Sequence, residues 1–170
     1  MTGWVDVQVY GDTAGVQGML ARLDTALNPV AIAAFLGGPV TEFVQSRARS
    51  RFKTEGDDAV GGWAPLAPAT QAIRAQGGYG SAHPINKRTG RLEDYIVGTP
   101  GAVTMHNLGA TLTYPGTPPQ GELKDKVQRA QMGRTSRDSR QGIPRPVLGL
   151  NERDLTAVLL MLAMRIKRGR

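Results

Sequence analysis

The chain contains no cysteine, so disulfides, thiolate nucleophiles and cysteine metal ligands are all excluded. It has only two histidines, His83 and His106, and neither has an Asp or Glu companion at a metal or acid–base spacing. Aromatics make up 5% of the residues, too few for a row of base-stacking platforms. Leu, Val, Ile, Ala and Met must therefore fill most of the core. The longest apolar run, Ala157 to Met164, is far short of a bilayer span. The first eleven residues lack a basic segment followed by an apolar run, so a secretory signal is not expected. A soluble protein made in the cytoplasm, with no membrane partner, is the expectation. No GxGxxG, Walker A or metal-spaced Cys/His cluster occurs, and no cofactor is expected.

What is abundant is glycine, proline and, late in the chain, positive charge. The 170 residues include 22 glycines and 11 prolines, which imply long loops. The net charge is +7. Residues 1–121 carry 9 basic and 9 acidic groups, whereas residues 122–170 carry 12 basic and 5 acidic. The whole excess therefore lies in the last 49 residues. Such asymmetry suits a contact with nucleic acid or an acidic protein surface, or a solvated face.

The length fits a single domain over residues 1–170. Residues 4–10 alternate and predict a strand. Val16, Met19, Leu20, Leu23 and Leu27 predict a helix over 13–28, stopped or kinked by Asn28–Pro29. A short apolar segment then ends at Gly37 and Gly38, and Pro39 opens a new helix to about Lys53. Its stripe comprises Val40, Phe43, Val44, Ala48, Arg51 and Phe52. A short helix is expected over 68–76, a strand over 91–97, and a hairpin around Asn107. Residues 115–142 are expected to form an extended loop or assembly arm, although 122–132 have helical potential with a weak apolar stripe. The last helix starts at Asn151, with Asp154 in capping-box position. Its expected buried stripe is Leu155, Val158, Leu159, Leu162 and Ile166. The sum is an α+β fold: a small antiparallel sheet of three or four strands packed against two or more helices, with a C-terminal helix and a long flexible basic loop.

Chemistry-bearing clusters are scarce. Asp57 and Asp58 share a loop and read as solvated surface. Glu93 and Asp94 fall on one expected strand, where neighbours point to opposite faces and make a poor acid–base pair. Arg129, Arg134, Arg137 and Arg140 punctuate the basic stretch, and Arg165, Lys167 and Arg168 form a second cluster. Both sets suit contacts to an acidic partner or to DNA phosphates. No recognition-helix or zinc-finger pattern accompanies them. A catalytic site is not expected.

The order of several short motifs is more informative. Arg51-Phe52 precedes an acidic loop; Gly62-Trp63-Ala64-Pro65-Leu66 and Thr70 follow; then come Thr89-Gly90-Arg91-Leu92, Ala130-Gln131-Met132-Gly133, and Ile143-Pro144-Arg145-Pro146-Val147-Leu148-Gly149. Over roughly residues 40–165 this series resembles the phage virion morphogenesis (tail completion) family. Tyr95 and Ile96 replace the family's Ser and Ile, a histidine is missing before Gln131, and Val147 replaces a Phe. The resemblance implies a non-catalytic structural protein of a tailed-phage virion, at the head–tail junction or tail end. It implies a homo-oligomeric ring, with a hexamer expected, touching head-connector or tail-tube and terminator proteins. Phe52, Trp63, Pro65, Leu66, Thr70, Gly90, Leu92, Gln131, Gly133, Pro144, Arg145 and Pro146 would then serve folding or assembly. The proline clamp around Arg145 suggests that its guanidinium meets a carboxylate. The alternative is a small basic nucleic-acid-binding protein, with non-specific contact to DNA.

Overall fold

The computed structural model describes residues 13–80, 84–86, 89–106, 109–132 and 145–168. The strand expected over 4–10 lies outside them, as do His83, Gly133, Arg134, Arg137, Arg140 and Pro144.

Helix α1 (Thr13–Leu27) ends where the sequence places a stop. Asn28 is extended (φ −63°, ψ 152°), and its Oδ1 accepts from the Ala31 N–H at 2.8 Å. It thereby caps α2 (Pro29–Phe35), whose first residue is a proline with no N–H to strand. The axis turns by 62° at this point. The break expected at Gly37–Gly38 does not occur. Instead α2 continues through a π-helical turn (Leu36–Val40) into α3 (Thr41–Thr54). Pro39 lies inside that turn. A proline ring collides with the carbonyl four residues back in a regular helix, and a widened turn relieves the collision. The Thr41 hydroxyl closes it by donating to the Leu36 carbonyl at 2.8 Å.

Glu55 ends α3 in the left-handed region (φ 56°). Strands β1 (Gly56–Asp57) and β2 (Gly61–Gly62) follow as a short antiparallel pair. Gly56 has φ 115°, and a Cβ there would lie 2.1 Å from the Gly61 carbonyl oxygen, so only glycine fits. Helix α4 (Pro68–Gln76) has the expected bounds. Residues 91–97, expected as a strand, instead belong to helix α5 (Arg91–Gly98). Leu92 and Ile96, four apart, are its buried residues, a helical rather than alternating spacing. Glu93 and Asp94 accordingly stand in a first helical turn, which favours acids.

Strands β3 (Ala102–His106) and β4 (Gly109–Thr113) form the hairpin around residue 107, with Val103 opposite Leu112. The architecture is α+β, but the strands form two separate two-stranded ladders rather than one sheet of three or four. Within the stretch expected to be a loop, residues 121–132 form helix α6 (Gly121–Met132). Leu123, Val127 and Ala130 suffice as a stripe because they meet the core. Helix α7 (Glu152–Arg168) closes the described chain. Asn151 and Asp154 cap it reciprocally: the Asp154 N–H donates to Asn151 Oδ1 at 2.9 Å, and the Asn151 N–H to Asp154 Oδ2 at 3.3 Å.

The core cluster gathers Ala48 and Phe52 of α3, Trp63, Ile85, Leu92 and Ile96 of α5, Ala130 of α6, and Val147. Helix α7 contributes no apolar residue to it. The stripe expected to be buried on α7 is largely open: Leu155 is 52% and Leu159 65% exposed, while Val158, Leu162 and Ile166 are half-buried. Likewise Met19, Leu20 and Leu27 of α1 are exposed. Amphipathic spacing reports that a face wants cover, not that the same chain supplies it.

Candidate functional site

Trp63 explains why a tryptophan sits between glycines and prolines. Its ring meets Phe52 edge-on, with centroids 5.5 Å apart and planes at 79°. Its Nε1–H donates to the Pro146 carbonyl at 2.8 Å. Its own N–H bonds the Glu55 carbonyl at 2.6 Å. The residue is 7% exposed, and its indole joins the end of α3 to the segment before α7.

Arg145 sits on the other side of this seam. Its Nε donates to the Ala64 carbonyl at 2.6 Å and Nη2 to the Pro65 carbonyl at 2.8 Å. The expected carboxylate partner is replaced by two backbone oxygens of the tryptophan segment. The Arg145 N–H bonds the Ala130 carbonyl of α6 at 2.8 Å, and its carbonyl accepts from Asn86 Nδ2 at 3.2 Å. Burial holds its pKa below the ordinary guanidinium value.

A third group was not foreseen in the sequence. Arg51, 1% exposed, donates from Nε to Asp57 Oδ2 at 2.8 Å, from Nη2 to the Gly149 carbonyl at 2.6 Å and from Nη1 to the Val147 carbonyl at 3.3 Å. Arg47 reaches Asp57 at 3.2 Å, Asp58 at 2.8 Å and Asp154 at 2.9 Å. The approach of its Nε to Asp154 is a close ion pair without hydrogen-bond alignment. The hydrogen bond from Arg47 holds the Asp58 carboxyl below its usual pKa, and the same bond raises that of Arg47. Asp57 and Asp58 are therefore not idle surface. They tie the β1–β2 loop to α3, and Arg47 extends the tie to the cap of α7. The available signal was Arg51 itself, a cation on an apolar stripe.

The motif residues thus converge only in part. Phe52, Trp63 and Leu92 are buried together, with Leu66 packed against them. Pro146 supplies the carbonyl for Trp63. Gly90 takes φ 76° as the residue before α5, so it turns the chain into a helix, not a strand. Pro65 and Thr70 are exposed, and Gln131 is half-buried. Arg129, Lys167 and Arg168 are exposed, and Arg165 is half-buried with its Nε lacking a hydrogen-bond partner. Gly133, Pro144, Arg134, Arg137 and Arg140 are not among the described residues.

No family model, curated protein or solved structure matches the chain.

His106 is exposed on β3, with its Nε2 3.0 Å from the Thr111 hydroxyl. Among the described residues no three His, Asp or Glu side chains converge in a way that could hold a metal. No single described helix is long and apolar enough to cross a membrane. Two concavities stand out. One, of about 460 Å³, borders Arg49, Gly90, Glu93 and Asp94. The other, of about 390 Å³, lies between α4, α5, α6 and Arg145.

Proposed function

We propose that the protein is a non-catalytic virion assembly protein of a tailed phage, forming a homo-oligomeric ring at the head–tail junction or tail end. The phage assignment rests on the order of the motifs Arg51-Phe52, Trp63 to Leu66, Thr89 to Leu92 and Ile143 to Gly149. The assembly assignment is carried by one observation, the uncovered apolar surface on two helices that contact one another. Leu155, Leu159, Leu160 and Met164 of α7 are 52, 65, 59 and 49% exposed, and Met19 and Leu20 of α1 are 57 and 58% exposed. Exposed apolar side chains of this kind favour burial against protein. A ring is the closed outcome when one patch meets a different patch on the next copy. A hexamer is the expected size. Head-connector, tail-tube or terminator proteins would be the neighbours.

Native mass spectrometry across a salt series tests this reading. A closed ring is expected, and it should shrink to monomer in the double variant Leu155→Glu/Leu159→Glu while the melting temperature holds. A parent protein that stays monomeric at every salt concentration and at high protein concentration would count against self-assembly. The second reading, a nucleic-acid-binding protein, draws on the exposed cations Lys167 and Arg168 beside Arg165 at the end of α7. Salt-dependent retention of duplex DNA by a monomer would favour it.

A further inference from the structure

The concavity between α4, α5 and α6 has an unusual lining. Arg74, Lys126, Arg129 and Arg145 all border it, and among the described residues no Asp or Glu does. Arg74 is 5% exposed, and its Nε is buried without a hydrogen-bond partner. Arg145 gives two of its five guanidinium N–H donors to backbone carbonyls, which bring no negative charge. Its lowered pKa reflects a partly buried cation with little compensation. Among the described residues Lys126 and Arg129 have only loose pairs on their own helix, to Glu122 at 3.7 Å and Asp125 at 3.8 Å, and both acids are largely exposed. Such pairs contribute little and give way to a better-placed anion.

The remaining walls are mixed, with Thr70, Asn86 and Thr89 among apolar side chains. Leu66, Ile73 and Leu92 border the same space, with Ile73 63% exposed at the mouth. The volume, about 390 Å³, suits a few side chains rather than a polymer groove. We infer that this pocket receives an acidic, partly apolar peptide segment of a neighbouring protein, placing a carboxylate against Arg74 and Arg145 and an aliphatic side chain against Leu66, Ile73 and Leu92. A guanidinium fork recognises a carboxylate with paired hydrogen bonds, and the buried Nε–H of Arg74 has no acceptor among the described residues. Nucleic acid fits less well, because among the described residues no aromatic side chain borders the pocket to stack a base. The inference does not depend on a ring: a monomer that bound the peptide would keep it and still end the proposal of self-assembly.

The probe is a fluorescein-labelled peptide alternating Glu and Leu, titrated with the full-length protein by fluorescence anisotropy. Saturable binding is expected, weakened about 3- to 30-fold in Lys126→Ala/Arg129→Ala, which removes one half-buried and one exposed side chain, neither in the core cluster. Arg74→Gln should weaken it further; should that variant not fold, the double variant still decides. Five results would overturn the inference. The peptide could fail to bind, or bind parent and double variant equally. A Gln–Leu peptide could bind as well as the Glu–Leu one. Inorganic phosphate could displace the peptide at equal concentration, marking a general anion site. The double variant could lose self-association while the parent ignored the peptide, making a second copy of this chain the occupant.

Discussion

Replacing Arg51 with methionine keeps an unbranched chain out to the position of Nε and removes the rest of the guanidinium, so the loss of its donors dominates the effect. Three acceptors lose a donor: Asp57 at 2.8 Å, Gly149 at 2.6 Å and Val147 at 3.3 Å. Asp57 is not stranded, because Arg47 remains 3.2 Å away and the N–H groups of Ala59 and Val60 still donate to it. The Val147 carbonyl fares worst, since its residue is fully buried. An unsatisfied buried acceptor costs about 1–3 kcal/mol. With the weakened carboxylate and the partly buried Gly149 carbonyl added, the total approaches about 3–5 kcal/mol, the range for breaking a buried pair. That is a large part of the roughly 5–15 kcal/mol that holds a domain together. At about 2–4 °C per kcal/mol for a chain of this size, the melting temperature should fall by about 6–20 °C. Urea unfolding followed by tryptophan fluorescence measures the change, with Trp63 reporting from the same seam. Arg51→Lys should recover less than half, because one ammonium cannot match three acceptors arranged around a planar fork. A loss below about 1 kcal/mol for Arg51→Met would refute the reasoning.

Other perturbations should separate the remaining contributions. Trp63→Ala should destabilise by about 3–5 kcal/mol and Trp63→Phe by less, both read from urea midpoints. Gly90→Ala should cost about 1–2 kcal/mol by calorimetry, because φ 76° disfavours any Cβ even though the nearest atom, Asp94 Oδ2, leaves room at 3.4 Å. Burial raises the pKa of Tyr114, whose hydroxyl donates to the Ile96 carbonyl. Its contribution is therefore complete below the ordinary tyrosine value of 10.0 and is lost as pH rises toward the folded pKa. Tyr114→Phe should flatten the alkaline fall in stability while lowering stability at neutral pH by about 1 kcal/mol, visible in melting curves across pH 9 to 11. On the acid side, Asp58 is depressed by Arg47, so its contribution is present above the usual carboxylate pKa of 3.8 and fades as pH falls through the lower folded value. The acid limb of the melting curve of Asp58→Asn should be correspondingly shallower.

The helices were legible where periodicity and chemistry coincided. Pro68 gave the start of α4, and Asn151 with Asp154 gave the start of α7. Residues 91–97 misled because Tyr95, Ile96 and Val97 are β-favouring types in a short run, while the deciding signal was the i, i+4 pair Leu92 and Ile96. Gly37, Gly38 and Pro39 read as a break because punctuation residues usually are one; the π-helical turn absorbs them instead. Arg51 was placed correctly on the stripe of α3, yet its partners lie up to 98 residues away, a pairing no local pattern encodes. The open stripe of α7 has the opposite origin: its spacing is legible, but whether another element covers it is a property of the whole fold.

The reach of Arg51 also has a consequence in time. Its carbonyl acceptors, Val147 and Gly149, lie 96 and 98 residues further along the chain. Translation at about 5–20 residues per second leaves that guanidinium waiting for roughly 5–20 s after its own codon has been read. Throughout that interval α3 must carry a cation and a half-built apolar face with Phe52 beside it. The nascent chain is thus most exposed to chaperones and to wrong partners before Val147 and Gly149 emerge, and synonymous codons that slow the ribosome between residues 52 and 147 should lengthen that exposure without changing one atom of the finished protein.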